Sequence, residues 1–460
     1  MRRIVLTMTA AVLLSGIAAS AAPEQARPEG VRESPVVRKV LDNGLTVLVK
    51  PEPGSGLVAI AAFVGAGAAQ ESFQNAGLGS FVANLLLAGT RQRSAEMVAA
   101  VADEVGGNIG VEWHPDFTHL RAITTAARFS DAMYLIGECL TESNFEERWV
   151  EQVRADFLRR FEFGERDPID GAYTDLRELL YEDNGYKRPI AGYRRTVERA
   201  TAQDLRKFFE TYYVPNNTVV CIAGDVSVDY ALDRVDKAFA GVRPAQLPVD
   251  RGVPDETIDR PRYRASEVEL PAAYLLLGWL APGVGSPDYA PMAVAVNALG
   301  GGKASLMFRE LRQKRGMGYD IGARYPKFRY QSHVIAHVVT SPFKSGASAM
   351  NPAPVLEEVR AALIEQVEWL RDNQLSADDL ERAKGYTIGT HALQHQRLLD
   401  RAFHLGWSEI IGLGYEFDLK FAQSVDAVTA EDVQRVARRY LTNYAAVLLL
   451  PKTQSPPTGQ

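Results

Sequence analysis

The chain has 460 residues, more than a single hydrophobic core usually accommodates, so its length calls for at least two domains. Its 46% hydrophobic and 23% charged content is ordinary for a globular protein. A net charge of -6 gives no reason to expect nucleic acid as a partner.

The first residues have the pattern of a secretory signal peptide, expected over residues 1–21: Arg2 and Arg3, an apolar run over residues 4–17, then Ala19, Ser20 and Ala21 at the cleavage site. Cleavage after Ala21 predicts a periplasmic or secreted protein, and with no cysteine next to that site to carry a lipid the periplasm is expected first. The apolar run falls short of the roughly 20 residues of a membrane helix, and no later stretch is long and apolar enough to be one.

Further on, Leu41-Asp42-Asn43-Gly44-Leu45-Thr46-Val47 sets an Asn-Gly pair between alternating segments, a short-range hairpin signal. Residues 58–64 are a second strand candidate. Then comes Gly77-Leu78-Gly79-Ser80-Phe81-Val82-Ala83-Asn84-Leu85-Leu86-Leu87-Ala88-Gly89-Thr90, and after it the strand-like Gly106-Gly107-Asn108-Ile109-Gly110-Val111-Glu112-Trp113. Cys139 and Cys221 are the only cysteines, and an exported compartment would permit them to pair. Cys139 lies in an apolar helical pattern with Met133, Leu135, Ile136 and Leu140, however, and Cys221 in a strand-like run, so both are expected as small core residues.

An internal repeat is visible at an offset of 228 residues: Val197-Glu198-Arg199-Ala200-Thr201-Ala202-Gln203-Asp204-Leu205 followed by Tyr212 matches Val425-Asp426-Ala427-Val428-Thr429-Ala430-Glu431-Asp432-Val433 followed by Tyr440. In each copy the threonine suits a helix N-cap, and the helix leads into a strand candidate at residues 218–223 or 446–450. Two similar domains are therefore expected, over residues 35–242 and 263–452. Residues 243–262, with Pro244, Pro248, Pro254 and Pro261, read as an extended linker, and residues 453–460 as a disordered tail. The second domain contains Gly300-Gly301-Gly302-Lys303-Ala304-Ser305-Leu306-Met307-Phe308, then Leu311-Arg312-Gln313-Lys314-Arg315-Gly316-Met317-Gly318-Tyr319.

Together these segments resemble the pitrilysin/insulinase family of zinc metallopeptidases over nearly the whole mature chain. That family opens with L-x-N-G-L-x-V, and its zinc helix reads G-L-x-H-F-x-E-H-x-x-F-x-G-T, an inverted H-x-x-E-H motif in which two histidines bind zinc and the glutamate is the general base. Here Ser80, Ala83 and Asn84 stand in those three places. Catalytic zinc needs three protein ligands and an open position for water. Serine is a poor ligand at neutral pH, alanine accepts no proton, and an amide is a weak donor beside imidazole. The family's third ligand is a glutamate in a later helix reading E-x-x-x-x-x-x-E. Its place falls within residues 151–162, on Leu158 or Arg159 in the preferred framing, with Glu162 the carboxylate closest in spacing. One carboxylate cannot hold zinc alone.

Arg312 and Tyr319 occupy the family pattern L-R-x-x-x-G-x-x-Y. In active members that pair reaches from the C-terminal domain to the substrate beside the zinc, where guanidinium and phenol donors suit a peptide carbonyl and its oxyanion. Gly107, Asn108, Ile109 and Gly110 resemble the family strand that adds an extended substrate to the sheet by main-chain hydrogen bonds. The resemblance implies an α+β fold of two homologous α/β-sandwich domains, each a mixed or antiparallel sheet packed with helices. It also implies a function, because some bacterial members split the work between a chain with the zinc motif and a chain with the Arg/Tyr pair. This chain looks like the second kind: no cofactor of its own, zinc in a homologous partner subunit, and a peptide or unfolded protein as substrate. The alternative is a peptide-binding or assembly protein of the same fold, and a third reading is an autonomous hydrolase with unfamiliar ligands.

The histidines bear on that third reading. His391 and His395 are four apart, as are His333 and His337, while His114 and His119 flank a turn. Val334, Ile335, Val338 and Val339 suggest a strand that separates one pair, and His391-Ala392-Leu393-Gln394-His395 offers no nearby glutamate base. All are expected to be core or surface histidines, with no metal in this chain.

Overall fold

The computed structural model describes residues 35–164, 168–250, 252–253, 255–343 and 351–452. The expected signal peptide and C-terminal tail lie outside the described residues. The first half runs β1 (Val37–Val40), β2 (Thr46–Pro51), β3 (Leu57–Val64), α1 (Leu78–Leu85), α2 (Ala95–Glu104), β4 (Ile109–Trp113) and β5 (Thr118–Thr125). It continues with α3 (Phe129–Thr141), α4 (Glu147–Gly164), α5 (Pro168–Leu180), α6 (Arg194–Arg199), α7 (Ala202–Tyr212), β6 (Thr218–Gly224) and α8 (Val228–Ala238). The second half comprises β7 (Arg262–Val268), β8 (Ala273–Ala281), α9 (Tyr289–Gly300), a π-helical segment Phe308–Lys314, β9 (Asp320–Arg324) and β10 (Ser332–Thr340). It closes with α10 (Pro352–Asp372), α11 (Ala377–Leu393), α12 (Leu398–Ile410), α13 (Glu416–Asp426), α14 (Ala430–Tyr440) and β11 (Ala445–Pro451). No described helix is long and apolar enough to cross a membrane.

Each half carries one mixed sheet, in the orders β1-β2-β6-β3-β5-β4 and β7-β11-β8-β10-β9. The sequence repeat is a structural one: α7 and α14 begin with the same capping box. The Thr201 hydroxyl accepts from Asp204 N–H at 3.2 Å and the Thr429 hydroxyl from Asp432 N–H at 3.1 Å, while each aspartate accepts from its threonine N–H. Each of these helices precedes the strand, β6 or β11, that pairs in parallel on one side and antiparallel on the other. At the chain's start β1 and β2 form the hairpin, with Asn43 Oδ1 accepting from Leu45 N–H at 3.2 Å in the connection.

β3 is an uninterrupted apolar run because both of its faces are covered. Val58, Ile60, Ala62 and Val64 point to the helices of their own half, with Phe81 of α1 and Met133 of α3. Ala59, Ala61 and Phe63 point the other way, onto Leu398, Ala402 and Leu405 of α12, which belongs to the second half. The second sheet mirrors this. Leu275, Leu277 and Trp279 of β8 meet α9, α10 and α14, and Leu276 and Leu280 meet Leu176 and Leu180 of α5, from the first half. Each half thus lends one helix to the other's sheet. Both close approaches use a glycine: an added Cβ on Gly406 of α12 would lie 2.3 Å from the Phe63 ring, and one on Gly278 of β8 2.9 Å from Leu180 Cδ1.

Between α8 and β7, where the proline-rich linker was expected, the described residues form neither helix nor strand, yet they are fastened: Glu256 accepts from the N–H groups of Glu182, Asp183 and Asn184. Cys139 and Cys221 are free, buried thiols, and burial pushes the Cys139 thiol up to about 12.

Candidate functional site

α1 is the helix whose frame the sequence singled out, and its start is held by a residue the sequence reading missed. Gly77 precedes the helix at φ 110°, a backbone conformation that favours glycine, and leaves the first N–H groups pointing at the carboxylate of Glu71. Glu71 accepts from Gly77 N–H at 2.9 Å and Gly79 N–H at 2.7 Å, while Arg188 donates to its main-chain carbonyl. Burial dominates its ionisation and raises it to about 7, against the opposing pull of those N–H groups and the Arg188 charge. Gly79 also leaves room for Trp113 of β4, whose indole N–H donates to Ile190 O at 3.1 Å.

The three motif positions do not fit zinc. Ser80 is 6% exposed and Ala83 2% exposed, and neither carries an imidazole or carboxylate. Asn84 turns its amide back to donate to Ser80 O at 2.8 Å, satisfying the helix rather than a site. Ser80 lines a cavity of about 850 Å³, walled from α4 by Phe157, Arg160 and Phe161 and from α5 by Asp170, Thr174 and Asp175. Leu158, Arg159 and Glu162, the sequence candidates for the third-ligand place, are not among the cavity's walls, and Arg159 pairs outward with Asp156. Two described groups of three His, Asp or Glu donors lie close enough to share an ion, and neither touches this cavity.

Aromatic and cationic groups take the place of metal chemistry there. Phe157 packs on Phe81 with ring centroids 5.5 Å apart, and Arg160 lies 5.3 Å above the Phe157 ring. At the rim Arg195 lies 4.1 Å above Phe73, which meets Tyr193 edge-on at 5.2 Å.

Among the described residues β4 is the edge of the first sheet, paired with β5. Ile109 and Gly110 belong to this strand. Gly107 and Asn108 precede it, and Asn108 is engaged, its Oδ1 accepting from Arg121 at 3.3 Å. Of the four residues expected to bind a peptide backbone, the structure therefore puts two on a free sheet edge, beside α1.

Arg312 lies in the π-helical segment, a rare geometry that recurs at functional sites. Its Nη1 donates to Gly318 O at 2.8 Å, which brings the guanidinium to the carbonyl just before Tyr319. Tyr319 leads into β9, the edge of the second sheet, and is 55% exposed. Partial burial, with Tyr274 and Asp320 nearby, raises its phenol, which stays a hydrogen-bond donor at neutral pH. Neither residue lines the Ser80 cavity. Within this chain the Arg/Tyr pair and the motif helix do not share a pocket, although β9 approaches α5 on its other side, with Arg324 4.5 Å above the Tyr173 ring.

His333 and His337 lie on β10, and His333 shares a 2.9 Å hydrogen bond with the Tyr181 hydroxyl, a core role. The other histidines lie in two groups with carboxylates. His114 and His119 gather around Glu112, and His391 and His395 around Asp418, a residue no spacing rule connected with them. Burial pushes His391 down to about 4 and the adjoining His404 down to about 3, whereas the Asp418 carboxylate raises His395.

A model of the insulinase family, peptidase family M16, matches residues 46–193, and one of the peptidase M16 inactive domain matches residues 199–386. An uncharacterized zinc protease of Bacillus subtilis is 22% identical over 427 residues, covering 92% of this chain and 100% of the relative. One of Streptomyces coelicolor is 27% identical over 414 residues, 88% of this chain and 87% of the relative. Two solved structures share the fold: a protease from Helicobacter pylori, with a TM-score of 0.82 and 18% identity over 91% of this chain and 100% of that one, and a peptidase M16 inactive domain from Pseudomonas fluorescens, with a TM-score of 0.79 and 18% identity over 92% and 99%. With two mixed sheets related by an internal repeat, the frame of the zinc helix at Ser80, Ala83 and Asn84, and both family models matched in order, the chain belongs to the insulinase family, peptidase family M16, as a homologue lacking the zinc motif.

Proposed function

We propose that this chain is the non-catalytic subunit of an exported, periplasmic or secreted, heteromeric zinc metallopeptidase. It presents Arg312 and Tyr319 to the active site of a homologous partner that carries the zinc. One observation carries the reading: α1 keeps its cap, its packing on Trp113 and its cavity while offering no ligand, whereas Arg312, in the π-helical segment, and Tyr319, just before the edge strand β9, are exposed and away from that cavity. Donors aimed outward serve a site that this chain does not itself complete. They would hold the scissile carbonyl and strengthen their bonds as it becomes an oxyanion. Substrate peptide or unfolded protein would lie along β4 by main-chain pairing.

Co-purification from the native host, with zinc analysis and a peptidase assay of whatever binds, tests this reading. A similar chain with an intact H-x-x-E-H, and peptide cleavage by the pair but by neither chain alone, is the expected result. A second reading, a peptide-binding or assembly protein without proteolytic role, is favoured by the aromatic cavity over Ser80, which could hold a peptide without cutting it. Peptide binding by the purified chain, with no zinc-bearing partner recovered, would select it.

A further inference from the structure

We propose that His391, His395 and Asp418 form a binding site for one divalent transition-metal ion of the Zn²⁺ class, with His404 as an adjoining donor. His391 lies in the last turn of α11, His395 just beyond it, His404 on α12, and Asp418 in the first turn of α13. His395 Nε2 is 2.8 Å from Asp418 Oδ2, His391 Nε2 is 3.8 Å from Oδ1, and His404 Nδ1 is 3.9 Å from Oδ1. One donor atom from each of His391, His395 and Asp418 lies within 4.8 Å of the other two. Ligand atoms on tetrahedral zinc, with bonds of about 2.0–2.1 Å, stand about 3.3 Å apart, so small side-chain rotations suffice to surround an ion.

The hydrogen bonding points the same way. His395 Nδ1 is 2.7 Å from His391 O and donates to that carbonyl, the outer contact that orients a metal-binding imidazole and turns its Nε2 lone pair inward. In the metal-free chain a proton bridges His395 Nε2 and Asp418 Oδ2, the place a metal ion would take. His391 Nδ1 and His404 Nδ1 are buried with no hydrogen-bond partner, and His404 is only 8% exposed. Unpaired buried ring nitrogens are costly, and of these two the His404 Nδ1, which faces Asp418, is the one an ion would satisfy.

Among the described residues Asp418 forms three ion pairs, all with imidazoles. Lys327, the cation nearby, lies 5.4 Å above the Trp407 ring and 3.4 Å from Gln394 Oε1 instead. The other cluster is a weaker candidate, because Arg121 already occupies Glu112 at 2.9 Å. Two imidazoles and a carboxylate favour a borderline ion such as Zn²⁺ over Mg²⁺ or Ca²⁺, which take oxygen ligands. No carboxylate base accompanies the group, so the ion ties α11 to α13 and sets the start of α12, the helix lent to the first sheet.

The test is metal analysis of the full chain after loading with Zn²⁺ and dialysis. One retained equivalent is expected, lost in His395→Gln and in Asp418→Asn and kept in Glu112→Gln, with far-UV circular dichroism confirming that each variant folds. In the Co²⁺-loaded unmodified protein, paramagnetically shifted imidazole N–H signals from at least two histidines are expected, a readout that needs no variant. No retained equivalent, retention in both His395→Gln and Asp418→Asn, loss in Glu112→Gln alone, or absence of shifted imidazole signals would overturn the site. Peptide cleavage by the loaded chain alone would count against the proposed non-catalytic role and leave this site standing.

Discussion

The two halves share a strand order and a capped helix, but they differ in the side chains they present. The first half retains the architecture around a zinc helix, down to the buried Glu71 that holds its start, and none of the donors. The second half carries Arg312 and Tyr319, both exposed. Scaffold and chemistry therefore separate. Glu71, Gly79 and Trp113 hold a helix in place whatever its side chains do, whereas Arg312 and Tyr319 lie exposed, Arg312 bonded to Gly318 O.

The largest expected effect tests the donors. In a reconstituted complex with the zinc-bearing partner, Arg312→Ala or Tyr319→Phe should lower turnover by about 10² to 10³ per lost donor without disturbing assembly. A fall in kcat means the contact tightens in the transition state, and a rise in KM means it only holds substrate. Mutants that assemble and cleave at the unmodified rate would erase the contrast between the halves.

Next is the scaffold. Glu71 ionises at about 7 in the folded protein, against 4.5 ordinarily, so between those values the unfolded chain has already released a proton that the folded chain keeps. The stabilisation is complete below pH 4.5 and is lost as pH rises through 7. Relative to Glu71→Gln, the unmodified protein should lose about 3 kcal/mol over that window, the order of magnitude for such a shift. Denaturant titrations of both proteins at pH 4.5, 6 and 8 check this, and parallel curves would mean that burial does not raise Glu71 in the folded protein.

Smaller effects distinguish the two lent helices. Gly406→Ala should cost about 2 kcal/mol by overpacking. The Phe63 ring it meets is fixed by Phe117, His119 and Phe403, at centroid distances of 5.4, 4.6 and 5.5 Å. Gly278→Ala should cost less, since it meets leucine methyl groups that can rotate away. Equal thermal shifts would mean that both interfaces yield alike. Smallest of all, the triple change Ser80→His, Ala83→Glu and Asn84→His in a His395→Gln background should give at most weak zinc binding, because α4 meets the cavity with Phe157, Arg160 and Phe161. Tight stoichiometric zinc there would show that the first half is closer to a working site than its walls suggest.

Much of this was legible in the chain. The 228-residue repeat announced two related halves because a threonine cap and an apolar strand are local signals, and α7 and α14 fall where it places them. Ser80, Ala83 and Asn84 were legible as a helix without ligands for the same reason. The cavity walls were not. Which α4 residues face Ser80 depends on how two helices pack, and counting from one motif slid the assignment to Leu158 or Arg159. Asp418 escaped for a similar reason: it is 23 residues beyond His395 and on a different helix, so only the fold brings carboxylate and imidazoles together.

The lending of α5 and α12 has a consequence for the chain's history and handling. Severed within residues 243–262, the protein would yield two pieces, each exposing one apolar sheet face: Ala59, Ala61 and Phe63 in one, Leu276 and Leu280 in the other. Such faces aggregate when bare, so the pieces should be soluble only when produced together. A two-fold dimer in which each protomer swaps a helix with its twin has this same arrangement. Fusing such twins removes the symmetry constraint that forces every substitution to appear twice, and a fused chain can then let one copy go silent while the other keeps its donors.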